Sequence, residues 1–245
     1  MALFSGEGWL FLLRWFHFLA GITWIGMLYY FNFVQTPFFG SKFVADNPPV
    51  RSGIVRGGLL NNALWWFRWG AMLTFITGWL YLLHTIFGRY GGLQPFFLQP
   101  YGWAIFIGGI LGSLMWFNVW FIIWPAQQVV IASATQVSKG GQAIPEAAAR
   151  GQRSGFASRT NTLLSIPMLF FMGAASHFGF FTPTARGMKV VMLVVFAIIL
   201  AVLEWNALVG TTGPGKKMLS TVKGTLWGGF VVTAVLVIVL KLIFQ

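Results

Sequence analysis

MKVVMLVVFAIILAVLEWNALV, residues Met188 to Val209, decides the fold class: from Val190 to Leu203 it has no polar side chain and no glycine or proline. As a helix rising 1.5 Å per residue it would be roughly 33 Å long, enough to cross a hydrocarbon core about 30 Å thick. Five more segments share this character, approximately Gly8 to Val34, Trp66 to Phe87, Tyr101 to Trp124, Thr162 to Phe181 and Gly224 to Phe244. The reading is an all-α, polytopic integral membrane helix bundle of about six transmembrane helices. Residues 1–245 form a single transmembrane domain, with no internal repeat and no soluble domain.

Composition agrees. Charged residues are 8% of the chain and apolar ones 57%, whereas a soluble domain carries about 25% charged residues. The net charge of +12 would ordinarily point to nucleic acid, but the charges lie between apolar runs, where they orient a protein in a bilayer. No nucleic-acid partner is expected; the partner surface is membrane lipid. The absence of Cys excludes disulfides, zinc thiolate sites, iron-sulfur clusters and covalently attached c-type haem.

The connections alternate in charge. One set holds Lys42, Arg51, Arg56, Arg68, Lys139, Arg150, Arg153, Arg159, Lys216, Lys217 and Lys223; the other holds Arg14, Arg89, Arg186, Lys189 and Lys241. The positive-inside rule puts the richer set in the cytoplasm and both termini outside, in a bacterial inner (cytoplasmic) membrane. The first span is too long for a signal peptide, and Arg14 and His17 interrupt it, so it is expected to remain in the mature protein. Between Gln35 and Trp65, Pro48-Pro49 opens a run suited to an interfacial amphipathic helix. Between Pro125 and Arg159 the third and fourth spans are expected to continue as a cytoplasmic helical hairpin, broken at Gly140-Gly141 and restarted at Pro145-Glu146.

His17, His84 and His177 are the only imidazoles, and this topology puts all three in the outer half of the bilayer. His17 is roughly 13 Å deep, and His84 and His177 roughly 6 Å. Gly21 and Trp24 follow His17 at helical spacing, His84 continues a stripe of Gly70, Thr74, Thr77 and Tyr81, and Gly173 and Ala174 precede His177. Small residues beside a histidine admit a flat macrocycle and equally admit a close helix crossing. Two of the three could ligate a non-covalent b-type haem, with Arg14 and Arg89 one turn outward to meet its propionates; or each could be hydrogen-bonded across a helix interface, the arginines snorkelling to headgroups. Met72, Met115 and Met172 are alternative axial ligands, more often packing residues.

A second polar group gathers towards the cytoplasm: Asn32, Asn118, Gln127, Arg159, Asn161, Glu204 and Asn206. Glu204 is the one acid inside an apolar span, and Arg159 is its expected partner. The group reads either as a network locking helices together or as a pocket for a polar or anionic planar molecule. In the second case Arg159, Asn161, Glu204 and Asn118 would contact the substrate, and Trp205 or Trp120 would offer a stacking face.

Three stretches, RWFHFLAGITWIGMLYYFNF (Arg14 to Phe33), IIWPAQQVVI (Ile122 to Ile131) and SRTNTLLSIPMLFFMGAASHF (Ser158 to Phe178), resemble the urate oxidase N-terminal domain, the transmembrane half of the bacterial membrane urate hydroxylase family. The resemblance implies an oxidoreductase that passes electrons from urate oxidation to a cytochrome c, and His17 and His177 match the family's first-span and fourth-span histidines. The family's C-terminal cytochrome c domain, with its Cys-x-x-Cys-His, is not among these 245 residues, so a separate periplasmic cytochrome c is the expected electron acceptor. The leading expectation is a b-haem redox protein delivering electrons to that cytochrome. The alternatives are urate hydroxylation itself and a cofactor-free subunit of a larger membrane complex.

Overall fold

The computed structural model describes residues 5–177, 179 and 186–244; it is 88% helical, with no strand among the described residues. Seven long helices build the described residues. Helix α1 (Gly6–Tyr29) starts at Ser5, whose hydroxyl accepts from the Gly8 amide at 3.2 Å, with Glu7 in the first turn; cap and acid both suit the positive end of the helix dipole. It runs on through a π-helical turn, Tyr30–Gln35, into a short helix, Thr36–Phe39. Helix α2 (Leu59–His84) ends in a second π-turn, Thr85–Arg89, and α3 (Pro100–Phe117) passes through a third, Asn118–Ile123, directly into α4 (Trp124–Ser138). Helices α5 (Ala147–His177), α6 (Arg186–Leu208) and α7 (Val222–Phe244) complete the bundle.

Among the described residues, five helical stretches are long and apolar enough to cross a membrane: Gly6–Phe39, Leu59–Arg89, Pro100–Ser138, Met188–Leu208 and Val222–Phe244. This is a multi-pass membrane protein. The sixth expected span is part of α5, which carries Arg150, Arg153 and Arg159 and fails that test of apolarity; its expected outer end, Phe178 to Phe181, lies outside the described residues except for Gly179. The physical reason is position. From Thr160 to Ser165 every residue of α5 is buried; six consecutive residues sweep well over one turn, so neighbours cover the helix on all sides. Helices α1, α3, α4, α6 and α7 all pack on it. A helix enclosed by protein need not be apolar. By contrast α6 shows Val194, Ile198, Val202 and Trp205 to the surroundings, with Trp205 69% exposed, a stripe at helical spacing that only lipid would cover.

The expected helical hairpin is present. Helix α4 packs on the first half of α5, Gly140 turns the chain with φ of 84°, and α5 begins at Ala147, just after the expected start. The short helix Pro48–Arg56 starts on the Pro-Pro pair and packs against α4. Lys216, in the short helix Pro214–Leu219, is buried, donates to the Ala207 carbonyl at 2.9 Å and lies 4.2 Å from the Phe156 ring. It thus ties the carbonyl end of α6 to α5, and burial pushes its ammonium below the ordinary lysine range.

Helix crossings use small residues. Pro167 inside α5 has no N–H to give the Leu163 carbonyl. Gly229 of α7 lies at that spot, where an added Cβ would meet Leu163 O at 2.8 Å and Ile166 Cδ1 at 2.5 Å. Gly229→Ala is therefore expected to destabilise the bundle by about 1–3 kcal/mol through overpacking, read as a lower thermal midpoint in detergent. Gly26→Ala, where an added Cβ has nothing within 4 Å, should leave the midpoint unchanged.

Candidate functional site

One face of α5 is a polar seam at three- and four-residue spacing: Ser154, Ser158, Asn161 and Ser165. Each meets a different neighbour. Gln127 of α4 donates to Ser154 Oγ at 2.9 Å, and Asn32, in the first π-turn, donates to Ser158 Oγ at 2.8 Å. Asn118, opening the third π-turn, donates to Asn161 Oδ1 at 3.0 Å, and the Tyr29 hydroxyl lies 2.8 Å from Ser165 Oγ. Asn161 in turn donates to the Met115 carbonyl at 2.9 Å, and Asn118 donates also to Glu204 Oε2 at 3.1 Å. π-turns occur often at functional sites, and here two of them deliver their asparagines to the same seam.

Beside the seam is a cavity of about 290 Å³. Its polar lining includes Asn32, Gln35, Gln127, Ser154, Ser158 and Arg159, and Phe31, Phe67 and Phe156 supply aromatic surface. Gln35 Oε1 is buried without a hydrogen-bond partner. Arg159 spends Nη1 on the Leu219 carbonyl at 3.3 Å. An amide- and hydroxyl-rich wall with one guanidinium and flat apolar sides can hold a planar, polar or anionic molecule.

The expected substrate set divides. Arg159 lines this cavity, whereas Asn118, Asn161 and Glu204 are bonded to one another and not among its lining residues. The expected Glu204–Arg159 pair does not form: Asn118 holds the carboxylate, a backbone carbonyl holds the arginine, and the one salt bridge among the described residues is Lys42–Asp46 at 2.8 Å. Trp205 is no stacking face for the site, since its ring faces outward from α6. Trp120 packs edge-on against Trp69, with the Arg68 guanidinium 5.4 Å from its ring. Sequence reasoning missed Gln35, Ser154 and Ser158. The serine spacing was available as a signal, but the π-turns that aim the asparagines were not.

The histidines fare differently. The His17 ring lies on α2 over Gly78, where an added Cβ would come within 2.8 Å of its Cε1. Its Nδ1 is 2.9 Å from the Thr74 carbonyl and 3.4 Å from Thr77 Oγ1. A carbonyl only accepts, so Nδ1 carries the proton and the lone pair is on Nε2. A backbone acceptor fixing one ring nitrogen is the arrangement that orients a metal-ligating imidazole. The stripe expected to serve His84 serves α1 instead: Gly70 admits the α1 backbone at Trp24, Thr74 holds His17, and Tyr81 accepts from Arg14 Nη2. His84 lies six residues beyond Gly78, about 9 Å further along α2, and is exposed, as are Arg89 and His177. Helix α2 packs on α1 and α3, whereas α5, which carries His177, packs chiefly on α3, α4 and α7. Among the described residues no three of His, Cys, Asp and Glu form a metal-binding group. The structure thus orients the His17 ring on α2, and no contact joins it to His84 or His177.

The chain matches the family model described as urate oxidase N-terminal over residues 93–240. No curated protein and no solved structure matches it. The matched stretch contains the whole of α3 to α6 and most of α7, and with them the polar seam and Arg159; His17 and His84 lie before it. More than half of the chain is covered, and this multi-pass helical membrane protein belongs to the urate oxidase N-terminal family.

Proposed function

We propose that the chain is the membrane-embedded redox part of an oxidoreductase related to the membrane urate hydroxylases. It would reside in a bacterial cytoplasmic membrane with both termini outside, carry b-type haem near the outer face and pass electrons to a cytochrome c there. The observation that carries this reading is His17: its tautomer is set by Thr74, its lone pair is free on Nε2, and Gly78 leaves room for the ring. His84 or His177 would supply the second axial nitrogen, and Arg14 and Arg89 would face the propionates. When bound, the haem would supply one-electron chemistry; the protein orients the His17 ring and holds the proton on Nδ1. Purified protein should show the split reduced absorption bands of b haem, and His17→Ala should lose or shift them. A colourless preparation would end the haem reading.

A specific observation favours a second reading, in which urate itself is oxidised by this chain: the inner cavity joins a guanidinium, amides and aromatic walls at a size fit for a small heterocycle. Arg159 would pair with the urate anion, Gln35 and Gln127 would offer amide contacts, and phenylalanine rings would cover its faces. Urate-dependent reduction of cytochrome c is the assay. Arg159→Gln should raise KM roughly tenfold or more, the loss of one charged hydrogen bond being about 1.5–3 kcal/mol, with kcat less affected. An unchanged KM would remove the cavity from consideration as the substrate site.

The orientation has its own test, since the chain has no native cysteine. In intact cells a membrane-impermeant maleimide should label Gln94→Cys, in the connection before α3. It should spare Gln142→Cys, in the turn between α4 and α5. The reverse pattern would invert the bundle and put the histidines on the cytoplasmic side.

A further inference from the structure

Arg68 is a cation in a membrane-spanning helix, α2, with no countercharge. The four acids are engaged or placed elsewhere: Glu7 in the first turn of α1, Asp46 on Lys42, Glu204 on Asn118, and Glu146 in the turn that precedes α5. From residue 47 to residue 145 the chain contains no acid at all. Two indole rings hold the guanidinium instead, its Cζ lying 3.8 Å from the centroid of Trp124 and 5.4 Å from that of Trp120. Contact with a ring engages the face of a guanidinium and leaves the N–H groups in its plane free to bond. The side chain is half-buried. Nε is enclosed, so a partner reaches the cation at its two terminal nitrogens, which are not.

What surrounds this cation decides the partner. Trp65, Trp66 and Trp69 are exposed; Trp69 packs edge-on against Trp120 at 5.5 Å, and Trp65 lies 6.3 Å from Trp69. Indoles gathered around a basic side chain suit the level of the lipid headgroups. From Trp69 an outward stripe of Leu73, Ile76 and Leu80, all exposed, continues along α2 at three- and four-residue spacing. Trp69 to Leu80 is about 16 Å of helix rise, close to the depth of one leaflet's hydrocarbon, about 15 Å. A soluble anion would bond the guanidinium and leave the stripe uncovered. A neutral lipid would cover the stripe and leave the charge unpaired. A molecule with an anionic head and hydrocarbon chains satisfies both. A zwitterionic phospholipid brings an ammonium with its phosphate, and the short helix Pro48–Arg56, whose sequence includes Arg51 and Arg56, packs on both α2 and α4. Added positive charge is unfavourable there, and a headgroup without a cation is favoured.

We propose that Arg68, between Trp120 and Trp124, anchors a binding site for an anionic phospholipid of the phosphatidylglycerol type. The phosphate accepts from the two terminal nitrogens as a bidentate partner, and an acyl chain lies along Trp69, Leu73, Ile76 and Leu80. The site is separate from the haem reading and from the inner cavity, whose lining does not include Arg68.

The test is native mass spectrometry of the full chain, released from detergent micelles after equilibration with equal amounts of dioleoylphosphatidylglycerol and dioleoylphosphatidylethanolamine. The unaltered protein is expected to retain a single phosphatidylglycerol at a collision energy that strips the ethanolamine lipid. Arg68→Gln should lower that occupancy about tenfold, as for loss of a charge-assisted hydrogen bond. Arg68→Lys keeps the charge but not the planar fork and should not restore it. Lys139→Gln, which removes an exposed positive charge at the end of α4, should change nothing. Equal retention of the two lipids by the unaltered protein overturns the site, and that comparison needs no variant to fold. Unchanged occupancy in Arg68→Gln, or an equal loss in Lys139→Gln, would overturn it too, leaving a diffuse attraction between a basic protein and an anionic lipid. Displacement of the lipid by millimolar glycerol phosphate would assign Arg68 to a soluble phosphate instead.

Discussion

Polar groups inside a bilayer must find their partners within the protein, because hydrocarbon offers none. Helix α5 brings Asn161 and Ser165 into the bundle and carries the same face on through Ser158 and Ser154 along the hairpin with α4, so other helices have to surround it. Each pair along the seam is worth little by itself, on average about 0.6 kcal/mol for interhelical hydrogen bonds in a membrane. Breaking one costs more than its formation gains, since the remaining group is orphaned. The seam therefore acts mainly by excluding alternatives. A rotation of α5 that turned the seam outward would break all four side-chain pairs at once, and α1, α3 and α4 are held in register by the contacts that prevent this.

The first and third π-turns answer the same demand. Asn32 and Asn118 occur in helices that are otherwise apolar at that level, and each asparagine is buried with its amide donating into α5. A π-turn adds a residue to the local repeat and rotates the helix on its C-terminal side relative to the helix on its N-terminal side. The same segment can then show apolar side chains to lipid on its outer turns and an amide to the seam at one point. The polar cavity lies where the first turn approaches α5, and the third contributes Ile123 to its wall. Irregular backbone in a membrane is tolerated where it borders a cavity or is enclosed, and both conditions hold here.

The membrane class and the places of five spans come directly from unbroken apolar runs such as that of α6, whose length alone decides the matter. α5 is harder to read, because its role rests on being surrounded, and no window of its own sequence records its neighbours. The polar group at the Arg159 end of the bundle is visible as residue types, but its division is not. Glu204 and Arg159 have complementary charges and fall at similar depth, yet Asn118 stands beside one and the Leu219 carbonyl beside the other. His17 was legible as an intramembrane histidine. Its distinguishing contacts, the Thr74 carbonyl and the missing side chain of Gly78, come from a different helix and could be read only once α1 and α2 were side by side.

Distance constrains the chemistry more than residue type does. From His17 to Phe31, at the edge of the inner cavity, α1 rises about 21 Å, so a substrate in that cavity and a metal on His17 would not touch. Electron transfer between them would need something in between, and the intervening helices carry aromatic residues but, among the described residues, no cluster of metal-binding groups. A substrate held close to His17 removes that gap but gives up Arg159, the cationic side chain that makes the inner cavity suited to an anion.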